Sequence, residues 1–376
     1  MQTPDRFARV HRVLDRRVED GRFPGYVAAL RHDGRVEVLA GGRRHLGHDQ
    51  PMTPDTQFRL ASVSKPFAGV LTLQLVEDGV LGLDDPVAPW LPEFAAPRVL
   101  RRMDGPLDDT VAADRPITVR HLLTNMAGFG GIWQPCPLAD ALAATGGEPG
   151  PFPPTVGPDE LLRQLTALPL AAQPGERWLY HLASDVLSVL LARASGRSLG
   201  DLLAQKITGP LGLAGTGFSG DPTRLATQYE PTESGLRVLD APDQRFARPP
   251  VFEGLGAGLV STAPDVLAFL AALADGGAPL LTGGSVGAMT TGQLDEEQRA
   301  RSAGELDAGT TWGHQIGIHL EGRPMSAGSY GWDGGTGTSA WADPARDVVG
   351  VLLTQRLMGG PNDAADWFWQ AVHDCL

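Results

Sequence analysis

Lysine is almost missing from this chain. Of its 31 basic residues only Lys65 and Lys206 are lysine, so wherever a positive charge alone would serve, the sequence writes arginine. Cysteine is as scarce: Cys136 and Cys375 are too few for a disulfide framework, and a reducing compartment suits both as free thiols. No stretch approaches the roughly 18 apolar residues of a membrane-spanning helix. The opening MQTPDRFARVHRVLDRRVEDG alternates charge with apolar residues and lacks the unbroken apolar run of a signal peptide. A cytoplasmic protein with no membrane contact is the resulting expectation. Net positive charge is lacking too: at −13 the chain would be repelled by nucleic acid and by anionic membrane surfaces, so neither is expected as a partner. No internal repeat is present.

What is there is ordinary for a globular protein, 42% hydrophobic and 20% charged over 376 residues, with ample material for a core. Residues 4–20 read as an amphipathic helix through Phe7, Val10, Val13, Leu14 and Val18. YVAALRHDGRVEVLAGG reads as a hairpin turned at His32-Asp33-Gly34. After Ser62 the spacing of Val70, Leu71, Leu73, Leu75 and Val76 predicts a helix that stops at Asp78-Gly79. ITVRHLLTN, PDELLRQLTAL and SDVLSVLLARASG continue the helical pattern, the last ending at Gly196. Between 135 and 158 the Pro/Gly-rich PCPLAD and GGEPGPFPPTVGP predict irregular structure, either a pocket wall carrying Trp133 and Phe152 or a tolerated surface insertion. Strand patterns return at TWGHQIGIHL (311–320) and at TSAWADPARDVVGVLLTQ, a hairpin turned at Asp343-Pro344, before a final helix. The strands lie at both ends and the helices between them. That order predicts an α+β fold with an antiparallel sheet flanked by N- and C-terminal helices. Residues 1–60 and 231–376 would form the sheet lobe, 61–230 an inserted, mainly helical lobe, with the site at their interface.

Lys65 stands three residues after Ser62. If a helix starts at Ser62 the two side chains share a face, and Pro66 falls in the first turn, where its missing N–H costs nothing. A serine hydroxyl needs a neighbouring base to become a nucleophile. Burial readily lowers the pKa of an amine, whereas guanidinium stays charged in any protein, which explains a lysine where the chain otherwise writes arginine. The helix start adds unpaired N–H groups and the positive dipole end, and the Ser62 N–H is one arm of a possible oxyanion hole.

Three other motifs invite chemistry. GGSVG at 283–287 matches a nucleophile elbow, but ADGGAPLLT before it is no buried strand, so Ser285 reads as a turn or helix-start residue. GLGAGL at 254–259 lacks the strand a dinucleotide fingerprint requires and runs into a helix cap at Thr262-Ala-Pro-Asp265. His45 and His48 sit in a polar loop without carboxylate or cysteine partners, so no metal is expected.

With FRLASVSKPF, the stretches PGERWLYHLASDVLSVLLARASG and YGWDGGTGTSAW resemble the serine β-lactamase and penicillin-binding-protein superfamily, in the class C-like branch that includes family VIII carboxylesterases. FPGYVAAL, ITVRHLLTNMAGF, GPLGLAGTGF, GAGLVSTAPD and VVGVLLTQ extend the likeness over nearly the whole chain. The resemblance implies a β-lactamase-like fold, no cofactor, an acyl-enzyme on Ser62, and proton handling by Lys65 and Tyr180, with the choice of base between them open. It implies the Ser62 and Gly335 N–H groups as the oxyanion hole. The second motif departs from Tyr-x-Asn: it reads Tyr180-His181-Leu182, and His181 is expected in a loop or at the pocket rim rather than as a triad base. The third departs from Lys-Thr-Gly, reading Trp332-Asp333-Gly334. Trp332 would form an apolar wall, Asp333 would repel an anionic substrate if it faces the site, and a neutral small-molecule ester is the expected substrate. Acyl transfer, residual β-lactamase or D-amino-acid peptidase activity, and a non-catalytic scaffold of the same fold are the alternatives.

Overall fold

Asp33 and Gly34 both adopt positive φ, 50° and 69°, and fold strand β1 (Gly25–His32) back onto β2 (Arg35–Gly42), the conformation an Asp-Gly turn favours. In the computed structural model, which describes residues 6–145, 150–322, 324–360 and 363–376, five later strands join this hairpin. They are β3 (Thr310–Trp312), β4 (Gly317–His319), β5 (Tyr330–Gly334), β6 (Thr338–Asp343) and β7 (Val348–Thr354). The order β2-β1-β7-β6-β5-β4-β3 is antiparallel throughout. β1 pairs with β7 from Tyr26 opposite Thr354 to His32 opposite Val348, so the sheet's centre joins distant parts of the chain.

Both faces of this centre are dry. Tyr26, Ala28, Leu30, Val348 and Leu352 cluster with Val10 and Leu14 of helix α1 (Ala8–Glu19) and with Phe368 and Trp369 of the C-terminal helix (Asp366–His373). Val27, Ala29, Val349, Val351 and Leu353 belong to the larger core on the other side. An antiparallel sheet commonly leaves one face wet; here the period-two alternation divides two apolar sets. The larger core encloses α2 (Lys65–Glu77), buried from Lys65 to Leu75, and α3 (Leu182–Ser195), buried from Leu182 to Leu191. α4 (Ala263–Ala274) packs on the sheet and stacks Phe269 on Phe67 of α2 with ring centroids 3.8 Å apart. The C-terminal helix is α5. Over these spans α2 and α3 have no solvent face and most of their residues are apolar.

One expectation needs correction. The 135–158 segment is not irregular throughout: Pro137–Thr145 is a helix, because proline is tolerated at a helix start and Leu138 and Leu142 then fall on one buried face. Residues 146–149 of that segment lie outside the described residues. The strand pattern of TWGHQIGIHL is realised as the hairpin β3–β4, turned where Gln315 takes φ 61°. No helix among the described residues is long and apolar enough to cross a membrane.

Candidate active site

The approach to Ser62 is pinned before the helix begins. Buried Arg59 donates to Asp240 Oδ2 at 2.6 Å and to the carbonyls of Ala226 and Ala241, and the Leu60 N–H donates to Leu259 O. Ala61 then takes φ 46°, a conformation costly for a residue with a Cβ and held only where surroundings impose it. Ser62 lies in a 3₁₀ turn, Ala61–Ser64, and α2 starts at Lys65 rather than at Ser62. The tighter turn eclipses positions i and i+3, and Lys65 Nζ lies 3.0 Å from Ser62 Oγ.

The Lys65 amine is wholly buried and has three neighbours: Ser62 Oγ, the Gly256 carbonyl at 2.6 Å and His181 Nδ1 at 3.2 Å. Burial pushes its pKa down from the usual lysine range to about 7, against the opposing pull of Asp185. The Tyr180 phenol touches Ser62 and accepts the Trp332 indole N–H at 2.5 Å. Burial raises the phenol's pKa, while Lys65 Nζ stands 4.7 Å from the ring centroid. Burial thus favours the neutral form of each group, lowering the amine and raising the phenol.

A second corner is brought in from the sheet. Thr338 Oγ1 donates to Leu60 O at 2.8 Å and Thr336 Oγ1 to Arg59 O at 2.6 Å, which ties the β5–β6 turn to the segment leading into Ser62. Only glycine fits at 334: a Cβ there would lie 2.2 Å from Thr338 Oγ1 and 2.3 Å from Leu60 O. Pro151, from the Pro-rich segment, packs over Gly335, 3.2 Å from where a Cβ would stand.

Ser62, Lys65, Tyr180, Trp332, Gly334 and the Gly335 turn thus converge, while Asp333, His181 and Trp133 take other positions. Asp333 does not face Ser62. Strand alternation turns it to the α5 side, where it accepts from Trp341 Nε1 at 3.1 Å and from Ser339, and burial lifts its pKa to about 6. His181 is not at a rim; it is 3% exposed behind Lys65. Trp133 is 57% exposed and lies outside the aromatic cluster of Trp178, Tyr180, Trp312 and Trp332. Ser285 sits in helix Gly283–Met289 with its hydroxyl near Thr282. His45 Nδ1 pairs with Thr227 Oγ1.

Sequence reasoning passed over Gly256 and Asp185. Of the GLGAGL glycines, Gly256 makes room for Asp185: a Cβ there would come within 2.4 Å of its Oδ1, whereas one at Gly254 would first meet the Phe252 ring at 2.5 Å. The available signal was His181 and Asp185 four apart at the start of a helix.

A two-faced antiparallel sheet wrapped around buried helices, with a serine–lysine pair where they meet, is the frame of the β-lactamase and penicillin-binding-protein fold. The family described as Beta-lactamase matches residues 10–374, and the chain belongs to it, a family of serine hydrolases and acyltransferases. Among its relatives, Protein Rv1367c of Mycobacterium tuberculosis is 35% identical over 88% of this chain and 85% of that one. Esterase EstB of Burkholderia gladioli is 32% identical over 94% and 92%. The solved structure of EstCE1, described as a hydrolase with promiscuous acyltransferase activity, superposes with a TM-score of 0.82 at 27% identity, covering 98% of each chain.

Proposed function

We propose that this protein is a carboxylesterase acting through an acyl-enzyme on Ser62. The observation that carries the reading is the buried Lys65 amine, 3.0 Å from Ser62 Oγ, with its pKa drawn down to about 7. The lone pair of neutral Lys65 takes the Ser62 proton as Oγ attacks the ester carbonyl. The Ser62 and Gly335 N–H groups receive the developing oxyanion. Tyr180 gives its proton to the departing alkoxide, with the Trp332 N–H and the new Lys65 ammonium supporting the phenolate that remains. Water then enters by the reverse route and releases the acid.

A neutral ester suits the surroundings better than a β-lactam. Where the resembled family carries a lysine for the substrate carboxylate, Trp332 offers an uncharged indole whose N–H is already engaged with Tyr180. Acyl transfer is the second reading. EstCE1, 27% identical to this chain, is described as a hydrolase with promiscuous acyltransferase activity, which is what favours it. The test is a series of p-nitrophenyl esters of increasing chain length alongside nitrocefin, with intact-mass detection of an adduct on Ser62. Turnover of short esters with a Ser62 adduct supports the esterase; faster nitrocefin turnover overturns it.

A further inference from the structure

His181 occupies a backbone conformation that few residues accept. Its φ of 81° and ψ of −66°, with the Leu182 N–H donating to Tyr180 O at 3.2 Å, form a γ-turn of the rare, strained hand. Such a residue is strained and persists only where its neighbours hold it. The Gly131 N–H donates to Tyr180 O at 2.7 Å and the Ser184 N–H to His181 O at 2.8 Å. The result of the turn is that the imidazole points inward, with Nδ1 3.2 Å from Lys65 Nζ and Nε2 3.5 Å from Asp185 Oδ2. Leu182, at the position where the resembled motif has an amide, is buried and offers Lys65 nothing.

The hydrogen-bond capacity of Lys65 gives this arrangement a purpose. A neutral amine has two N–H donors and one lone pair. Gly256 O and His181 Nδ1 are both acceptors, so they take the two donors, and the lone pair is left with Ser62 Oγ as its partner. This works only if Nδ1 is unprotonated. Asp185 Oδ2, 3.5 Å from Nε2, favours the proton on that nitrogen, in the way a carboxylate biases the tautomer of a histidine ligand. We propose that His181, held as its Nε2–H tautomer by Asp185, is a positioning residue that orients the Lys65 lone pair onto the Ser62 hydroxyl.

The inference rests on the acyl-enzyme reading above, and its test separates the two. Long-range ¹⁵N–¹H correlation on the wild-type protein reads the tautomer without any turnover, and the expected result is a bare Nδ1 and a protonated Nε2. In kinetics with a p-nitrophenyl ester, His181→Phe puts carbon in place of Nδ1 and should lower kcat on the order of 10–100-fold with KM little changed. His181→Asn returns an acceptor, Oδ1, to the same position and tolerates positive φ, so it should recover most of that loss. A protonated Nδ1 in the spectrum, equal losses in both variants, or a wild-type kcat in His181→Phe overturns the proposal. If Ser62→Ala keeps its turnover, the esterase reading falls instead, and the spectrum still decides the orientation of His181.

Discussion

Replacing Trp332 with phenylalanine removes one donor from one oxygen and keeps an aromatic ring in place. The indole N–H reaches Tyr180 Oη at 2.5 Å, and the Trp332 ring meets Trp312 edge-on with centroids 4.7 Å apart. If Tyr180 only ever presents a neutral phenol, the lost hydrogen bond is worth about 0.5–1.5 kcal/mol and is lost alike from ground and transition states, leaving kcat nearly unmoved. If Tyr180 hands its proton to the leaving group, the oxygen gains charge only in the transition state. The bond is then charge-assisted, worth about 1.5–3 kcal/mol, and kcat falls roughly 10- to 150-fold. The second outcome is expected, with KM for a short p-nitrophenyl ester little changed. Steady-state kinetics on the variant, with circular dichroism confirming its fold, checks it. A drop in kcat smaller than about threefold refutes the assignment of Tyr180 as the group that protonates the leaving alcohol.

Other predictions concern the base, the nucleophile and the turn. Because burial draws the Lys65 ammonium down to about 7 and only the neutral amine accepts a proton, kcat/KM should rise with pH through neutrality. It should fall away from its plateau as the pH drops below neutrality; a profile flat from pH 5 to 9 excludes Lys65 as the base. Ser62→Ala should abolish ester hydrolysis while Ser285→Ala, in its surface helix, leaves it nearly intact, and the reverse pattern would transfer the nucleophile to the GGSVG segment. Gly334→Ala forces a Cβ to within 2.3 Å of Leu60 O and should lose most activity and a few degrees of Tm. Gly287→Ala, with nothing within 4 Å, is the silent control in both measurements.

What could be read in advance was what short segments encode. The Asp33-Gly34 turn, the helix stops at Gly79 and Gly196 and the i, i+3 relation of Ser62 to Lys65 are local, and the structure has each of them. Asp333 was misassigned because strand alternation tells which neighbours share a face, not which face meets the site. His181 was misplaced because ordinary expectations for the residue before a helix contain no γ-turn. The carbonyl of Gly256 was invisible for a different reason: its importance comes from a lysine 191 positions away. The helix at Pro137–Thr145 was missed by treating proline as a breaker where it is a starter.

The pairing of β1 with β7 sets the order in which this molecule can assemble. Residues 26 and 354 are partners at the centre of the sheet, so the N-terminal hairpin must wait for nearly the whole chain before its inner edge is covered. Until then β1 presents an open ladder of N–H and C=O groups beside apolar side chains that fit two different cores. Such non-local closure is slow and leaves partly folded chains prone to association. The catalytic corner inherits this timing, since the Gly335 turn hangs on β6 and β6 hangs on β7. A nascent chain that has already formed the Ser62–Lys65 turn therefore cannot complete the proposed oxyanion hole until its last strands have docked.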